Sequence, residues 1–153
     1  MTIRIGINGF GRMGRLTLRA LFEKSDVVIQ RINDPAGDAA TLAHLLNFDS
    51  VHGRWQHEAT YSAQAMIIQG RSIPCSRNKE ISATDWSDCD VVIEASGKMK
   101  TKALLQGYLD QGVKRVVVTA PVKEDGVLNV VMGVNDQLYD PKQHSIVAAA
   151  SCT

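Results

Sequence analysis

Two stretches of this 153-residue sequence carry residue types that could do chemistry. The first is Gly9-x-Gly11-x-x-Gly14, placed where a strand-like alternation ends and a helical one begins. Each glycine there has its own use. The first allows a sharp turn, the second keeps a Cβ out of the path of a pyrophosphate, and the third lets helix and strand pack closely. Free N–H groups at the helix start then face the anion. A glycine triplet alone is a weak signal. The discriminating residue is an acid about 20 positions further on, at the end of the second strand, where a carboxylate takes the ribose hydroxyls of adenosine. Asp34 stands there, and its charge would repel a 2′-phosphate, favouring NAD over NADP. The rival reading makes the glycines a tight turn and Asp34 a cap on the segment ahead of Pro35; the strand–turn–helix placement favours the cofactor. Arg12 and Arg15 either add positive charge beside the pyrophosphate or are solvated helix residues.

The second stretch is Ser151-Cys152-Thr153. It follows a strand-like segment, 146–150, so the thiol is expected at a strand-to-helix junction, where the helix dipole favours the thiolate. A thiolate can attack an aldehyde and hold it covalently through a redox step. By itself a single cysteine is more often inert than catalytic, and its company with a cofactor fingerprint reverses that weighting. Cys75 and Cys89 have no such setting and read as structural.

The elements that must position these groups alternate strand and helix. Residues 2–8 alternate around Ile3, Ile5 and Ile7, and residues 11–24 place Met13, Leu16, Ala20 and Leu21 on one helical face. Residues 27–33 read as a second strand and 38–47 as a helix carrying Ala39, Leu42, Ala43 and Leu46, so the chain opens β-α-β-α and implies a parallel sheet. Residues 58–62 and 65–76, broken by a Gln69-Gly70-Arg71 turn, read as short antiparallel strands or a hairpin. Strands are expected again at 91–95 and 115–119, around a helix at 101–111 closed by Gly112, and then at 130–133 and 146–150. Uninterrupted apolar runs suit strands covered on both faces, so the expected fold class is α/β, a doubly wound, mostly parallel sheet with helices on both faces.

Composition excludes several classes. With 44% hydrophobic and 22% charged residues the chain suits one globular domain. Seventeen Lys and Arg against sixteen Asp and Glu leave a net charge of +1 and no basic stripe, which speaks against nucleic acid. No apolar run approaches the roughly 20 residues of a spanning helix, which speaks against a membrane helix. Met1 leads straight into the first strand with no leader pattern, and a cytoplasmic location is expected. Three cysteines without metal-ligand spacing point to reduced thiols, with neither a disulfide nor a zinc scaffold.

The opening Ile5-Gly6-Ile7-Asn8-Gly9-Phe10-Gly11-Arg12-Met13-Gly14-Arg15 resembles that of glyceraldehyde-3-phosphate dehydrogenases. The resemblance continues through Ile32-Asn33-Asp34, Leu42-Ala43-His44-Leu45-Leu46, Asp49-Ser50-Val51-His52-Gly53-Arg54 and Glu94-Ala95-Ser96-Gly97. It runs on through Ala120-Pro121, Met132-Gly133-Val134-Asn135 and Ala150-Ser151-Cys152-Thr153, and so covers the whole chain. It implies a Rossmann-type NAD-binding domain over residues 1–153, with the C-terminal catalytic and substrate domain absent from this chain. It places Gly9, Phe10, Gly11, Arg12, Met13 and Gly14 along the pyrophosphate, Asp34 at the adenosine ribose and Arg77 near the adenine. Ser96, Gly97 and Thr119 would line the nicotinamide half, Cys152 would be the nucleophile, and Ser151 and Thr153 would contact substrate phosphate. The implied partners are a phosphorylated aldehyde and inorganic phosphate, and the implied full-length assembly is a homotetramer. The reaction needs a general base beside the thiol; His44, His52, His57 and His144 do not fit that part, and the family's base lies beyond the nucleophile. The fragment is expected to bind NAD without turnover.

Several residues depart from the family's common pattern. Met13 replaces an isoleucine, Pro35 a leucine, Asn78 an aspartate, Met99 an aromatic, and Ala148-Ala149 a Ser-Asn pair before the nucleophile. Some bacterial members linked to arsenate resistance have a similar Asn-Asp-Pro-Ala-Gly-Asp segment and a similar alanine-rich approach to the cysteine; membership there implies arsenate in place of phosphate. Two other readings stay open: an erythrose-4-phosphate dehydrogenase, and a stand-alone dinucleotide-binding module without catalysis.

Overall fold

A computed structural model describes residues 1–150. Strand β1 (Ile3–Asn8) turns into helix α1 (Arg12–Phe22), and β2 (Val27–Asn33) returns parallel to β1 before helix α2 (Ala39–Asn47). A short hairpin of two-residue strands, β3 (Phe48–Asp49) and β4 (Gly53–Arg54), leads to an antiparallel run of β5 (Ala59–Tyr61), β6 (Ala65–Ile68) and β7 (Arg71–Ser76). Then come β8 (Val91–Glu94), helix α3 (Lys102–Asp110), β9 (Arg115–Val118), β10 (Leu128–Val130) and β11 (Ile146–Ala149). Among the described residues one sheet has the order β10-β11-β9-β8-β1-β2-β7-β6-β5, parallel except where β5, β6 and β7 meet. The antiparallel run joins the rest through β7, which pairs in parallel with β2 at Ile32–Cys75 and Asn33–Ser76. This is the doubly wound, Rossmann-type α/β architecture.

Both faces of the sheet are covered. Ile5, Ile7, Ile29, Ile32 and Ile93 pack with Leu18 of α1 and Leu42 and Leu46 of α2. Val92, Val116, Val118 and Ile146 pack on the other face with Leu105 and Tyr108 of α3 and with Trp86. Successive residues Val92 and Ile93 thus belong to different cores, as the two-residue period of a strand requires.

The helices begin and end for local reasons. Asp38 caps α2, its carboxylate accepting from the Thr41 N–H at 2.9 Å, and all four apolar residues expected on its inner face are buried. Thr101 caps α3 by accepting from the Leu104 N–H. Helix α1 corrects the expected face: Met13 is 53% exposed and Ala20 is exposed, while Gly14 and Leu18 are buried, with Leu21 and Phe22 packed beside them. The close seat of Gly14 on the preceding turn sets the helix's rotation, and periodicity does not contain that contact. Strand β10 is also displaced from the expected 130–133. The chain leaves the sheet after Val130, where Asn135 Oδ1 accepts from the Val131 N–H at 2.7 Å and Asp136 Oδ1 from the Gly133 N–H at 2.7 Å. Among the described residues no helix is long and apolar enough to cross a membrane.

Candidate functional site

All the parallel strands end at one edge of the sheet, and β1 lies there between β2 and β8, at the point where successive connections leave in opposite directions. Such a switch point opens a crevice beyond the strand ends. Gly9, the first residue after β1, has φ +92°, and a Cβ on it would sit 2.4 Å from Ser96 N; on Gly14 it would sit 2.1 Å from Gly9 O. Neither position can take a side chain without moving backbone. At Gly11 a Cβ would meet nothing within 4 Å, so the middle of the turn faces open space. Gly11 is the N-cap of α1, no side chain caps that terminus, and its first turn carries no acid. The N–H groups of Arg12, Met13 and Gly14 are therefore left for an anion, and the turn fits the pyrophosphate of a dinucleotide.

Asp34 lies across this turn. Its Oδ2 accepts from the Phe10 N–H at 2.6 Å and its Oδ1 from the Ala36 N–H at 2.8 Å, so the end of β2 is tied to the start of the glycine turn. Phe10 itself is buried and contributes to the core rather than to the rim. The cap on the following helix is Asp38, not Asp34, which leaves the rival reading of Asp34 without its helix. Arg12 reaches from the first turn of α1 to Asp49 at 3.2 Å. The His52 and Val51 N–H groups, with Arg12 adding its charge, hold the Asp49 carboxyl down at about 2. Arg15 turns back to donate to the Phe10 carbonyl at 3.2 Å.

Beside the turn lies a cavity of about 500 Å³ whose wall includes Asn8, Pro35, Ala36, Asn78, Ser96 and Met99. Ser96 therefore shares a wall with the residues that follow Asp34, while Thr119 is held at the base of the same loop, its N–H donating to the Glu94 carbonyl at 3.0 Å. Gly97 follows in left-handed backbone with φ +73°. Arg77 does not line the cavity; it is exposed, and its charge acts on Asp38. The neighbouring Asn78 takes the lining place, its amide donating to Ala83 O and Thr84 Oγ1, each at 2.9 Å.

Beneath the crevice runs a buried polar network that neither the glycine turn nor the cysteine motif announces. Asn33 Nδ2 donates to Asn8 Oδ1 at 2.8 Å, and Asn33 Oδ1 accepts from Ser76 Oγ at 2.7 Å and Asn78 N at 2.9 Å. Asn8 Nδ2 donates to Glu94 Oε2 at 2.9 Å and to the Tyr108 hydroxyl at 2.7 Å. Its one signal in the sequence is polarity out of place: Asn8, Asn33 and Glu94 each close an apolar strand.

Cys75 and Cys89 pack in the two cores and His57 and His144 are tied into the frame, while His44 and His52 are exposed. Burial pushes the Cys89 thiol up to about 12 and raises that of Cys75. His57 packs between Phe22 and Trp55 with ring centroids at 5.3 and 4.9 Å, and His144 Nδ1 accepts from the Asp140 N–H at 2.9 Å. Ser151, Cys152 and Thr153 lie outside the described residues.

Residues 3–102 match the family model described as glyceraldehyde 3-phosphate dehydrogenase, NAD binding domain. The chain is 48% identical over its whole length to glyceraldehyde-3-phosphate dehydrogenase 3 of a Nostoc species. It is 37% identical to the glyceraldehyde-3-phosphate dehydrogenase of Geobacillus stearothermophilus and 40% identical to glyceraldehyde-3-phosphate dehydrogenase 2 of Streptomyces avermitilis. All of the chain is covered in each comparison, and it spans 46% of each relative.

Proposed function

The chain belongs to the family of glyceraldehyde 3-phosphate dehydrogenase NAD-binding domains, and from that premise we propose that residues 1–153 are the cofactor half of a phosphorylating aldehyde dehydrogenase whose substrate domain lies elsewhere in the whole protein. The observation that carries this reading is the glycine turn, closed to side chains at Gly9 and Gly14, open at Gly11, and leading into an uncapped helix start. Its backbone N–H groups bind the pyrophosphate with Arg12 beside them, Asp34 takes the adenosine ribose, and Ser96, Gly97 and Thr119 border the nicotinamide half. NAD, when bound, supplies the hydride acceptor. The Cys152 thiolate adds to the aldehyde carbonyl and holds that carbon through its oxidation to a thioester; a phosphate oxygen then displaces the thiolate and the acyl phosphate leaves. Ser151 and Thr153 hold the substrate's phosphate, and a base of the substrate domain takes the proton. The aldehyde is glyceraldehyde 3-phosphate, arsenate substitutes for phosphate if the chain shares the chemistry of the arsenate-linked members, and the whole protein is a homotetramer.

Calorimetric titration of NAD into the full chain, set against Gly11→Asp, tests the reading. One saturable site is expected, weakened by about tenfold or more in the variant, because a carboxylate at the helix start occupies the anion's place. The variant keeps its fold, since the position is open and aspartate caps slightly better than glycine. No saturable binding by the wild type, or equal binding by Gly11→Asp, would overturn it.

A further inference from the structure

We propose that Glu94 is a positioning residue of the dinucleotide crevice, and that the hydroxyl of Tyr108, on helix α3, sets it. The inference rests on the NAD-binding reading and extends it to residues that would touch no cofactor. Glu94 ends β8 and is 1% exposed, and among the described residues no cation pairs with it. A carboxylate buried without a counter-ion is costly unless hydrogen bonds surround it. Here four donors do. Oε1 accepts from the Ser96 N–H at 2.8 Å and from the Ser96 hydroxyl; Oε2 accepts from Asn8 Nδ2 at 2.9 Å and from the Tyr108 hydroxyl.

The two oxygens divide the work. One is oriented by the core, through β1 and α3, and the other is aimed at the loop that follows β8. A leucine would fill the space and an amide would present N–H groups to donors; a carboxylate can accept on both sides at once. What it holds is the Ser96 backbone, and that backbone abuts Gly9 closely enough that no side chain fits between them. A shift of Ser96 therefore moves the phosphate turn or opens a gap beside it. Tyr108 is fully buried, its ring edge-on to Trp86 with centroids 5.4 Å apart, so removal of the hydroxyl alone leaves the packing in place. The line of contact runs from the α3 hydroxyl to Glu94, to Ser96 and to the glycine turn.

Glu94→Gln and Tyr108→Phe, titrated with NAD as full chains at a temperature where circular dichroism shows each fully folded, test this. The dissociation constant should rise by about tenfold in Glu94→Gln and about threefold in Tyr108→Phe. The double variant should stay within about twofold of Glu94→Gln, because the two residues act in series. A purely structural role would lower the melting temperature and leave the affinity of the folded protein within about twofold of wild type, and that result would overturn the inference. If Glu94→Gln does not fold, Tyr108→Phe decides by the same criterion. Failure of the wild type to bind NAD would overturn the functional reading, and this inference with it.

Discussion

The two edges of the central sheet handle polar groups in opposite ways. At the edge where the strands begin, Asp90 pairs with Arg4 at 3.0 Å and with Lys114 at 3.2 Å, and the two cations keep 48% and 70% of their side chains in solvent. At the edge where the strands end, Asn8, Asn33 and Glu94 are all but sealed from water, at 4%, 3% and 1% exposure. Water can replace any partner lost at the first edge, so an exposed pair there contributes about 0–1 kcal/mol. At the second edge a lost partner leaves a buried group unmatched, at about 1–3 kcal/mol each. The difference teaches where rigidity is kept. The strand ends that frame the crevice are held by groups that cannot exchange with solvent, and the opposite edge is only decorated.

Three substitutions break or sharpen that contrast. Gly14→Ala should have the largest effect, because its Cβ would fall 2.1 Å from Gly9 O and backbone must move; a loss of about 3 kcal/mol or more is expected in urea unfolding. Asn33→Leu comes next. It leaves the Ser76 hydroxyl, the Asn78 N–H and Asn8 Oδ1 without their partner, but Ser76 and Asn78 are only half-buried and can turn to water, so the expected loss is about 2–3 kcal/mol by the same measurement, most of it from Asn8. Asp90→Asn at the other edge should cost below about 1 kcal/mol at neutral pH. Its signature is in pH: hydrogen bonds from the Arg4 side chain and backbone hold the Asp90 carboxyl below its ordinary 3.8. The pairing therefore contributes above about pH 4 and is lost as pH falls through the lower folded value. The urea midpoint of the wild type should approach that of Asp90→Asn as pH drops below about 4; a gap that stays constant would show the pair to be inert.

Much of the frame can be read from local sequence. The helix starts at Asp38 and Thr101, the buried face of α2, the turn at Gln69 and Gly70, and the glycine turn with Asp34 all depend on neighbours a few positions apart or on short, fixed spacing. Expectation and structure part where a distant contact decides. Helix α1 is rotated from its expected face by the seat of Gly14 on Gly9, and β10 ends early because Asn135 and Asp136 cap the turn beyond it. Of the neighbours Arg77 and Asn78, Asn78 lines the cavity, its backbone held by hydrogen bonds with the distant Asn33.

The amino-acid order by itself determined the alternation of strands and helices, the glycine turn and the acid about 20 positions beyond it, because those rest on periodicity and short spacing; membership of the family rests on the match of residues 3–102 as a whole. Only the tertiary structure decided that β7 lies beside β2, that Glu94 serves Ser96 with one oxygen and Tyr108 with the other, and that Asn8 joins both halves of the crevice. Asn8 stands 86 positions from Glu94 and 100 from Tyr108. No local pattern carries a pairing over such distances; it exists only once parallel strands and the helices between them have brought their ends to one edge.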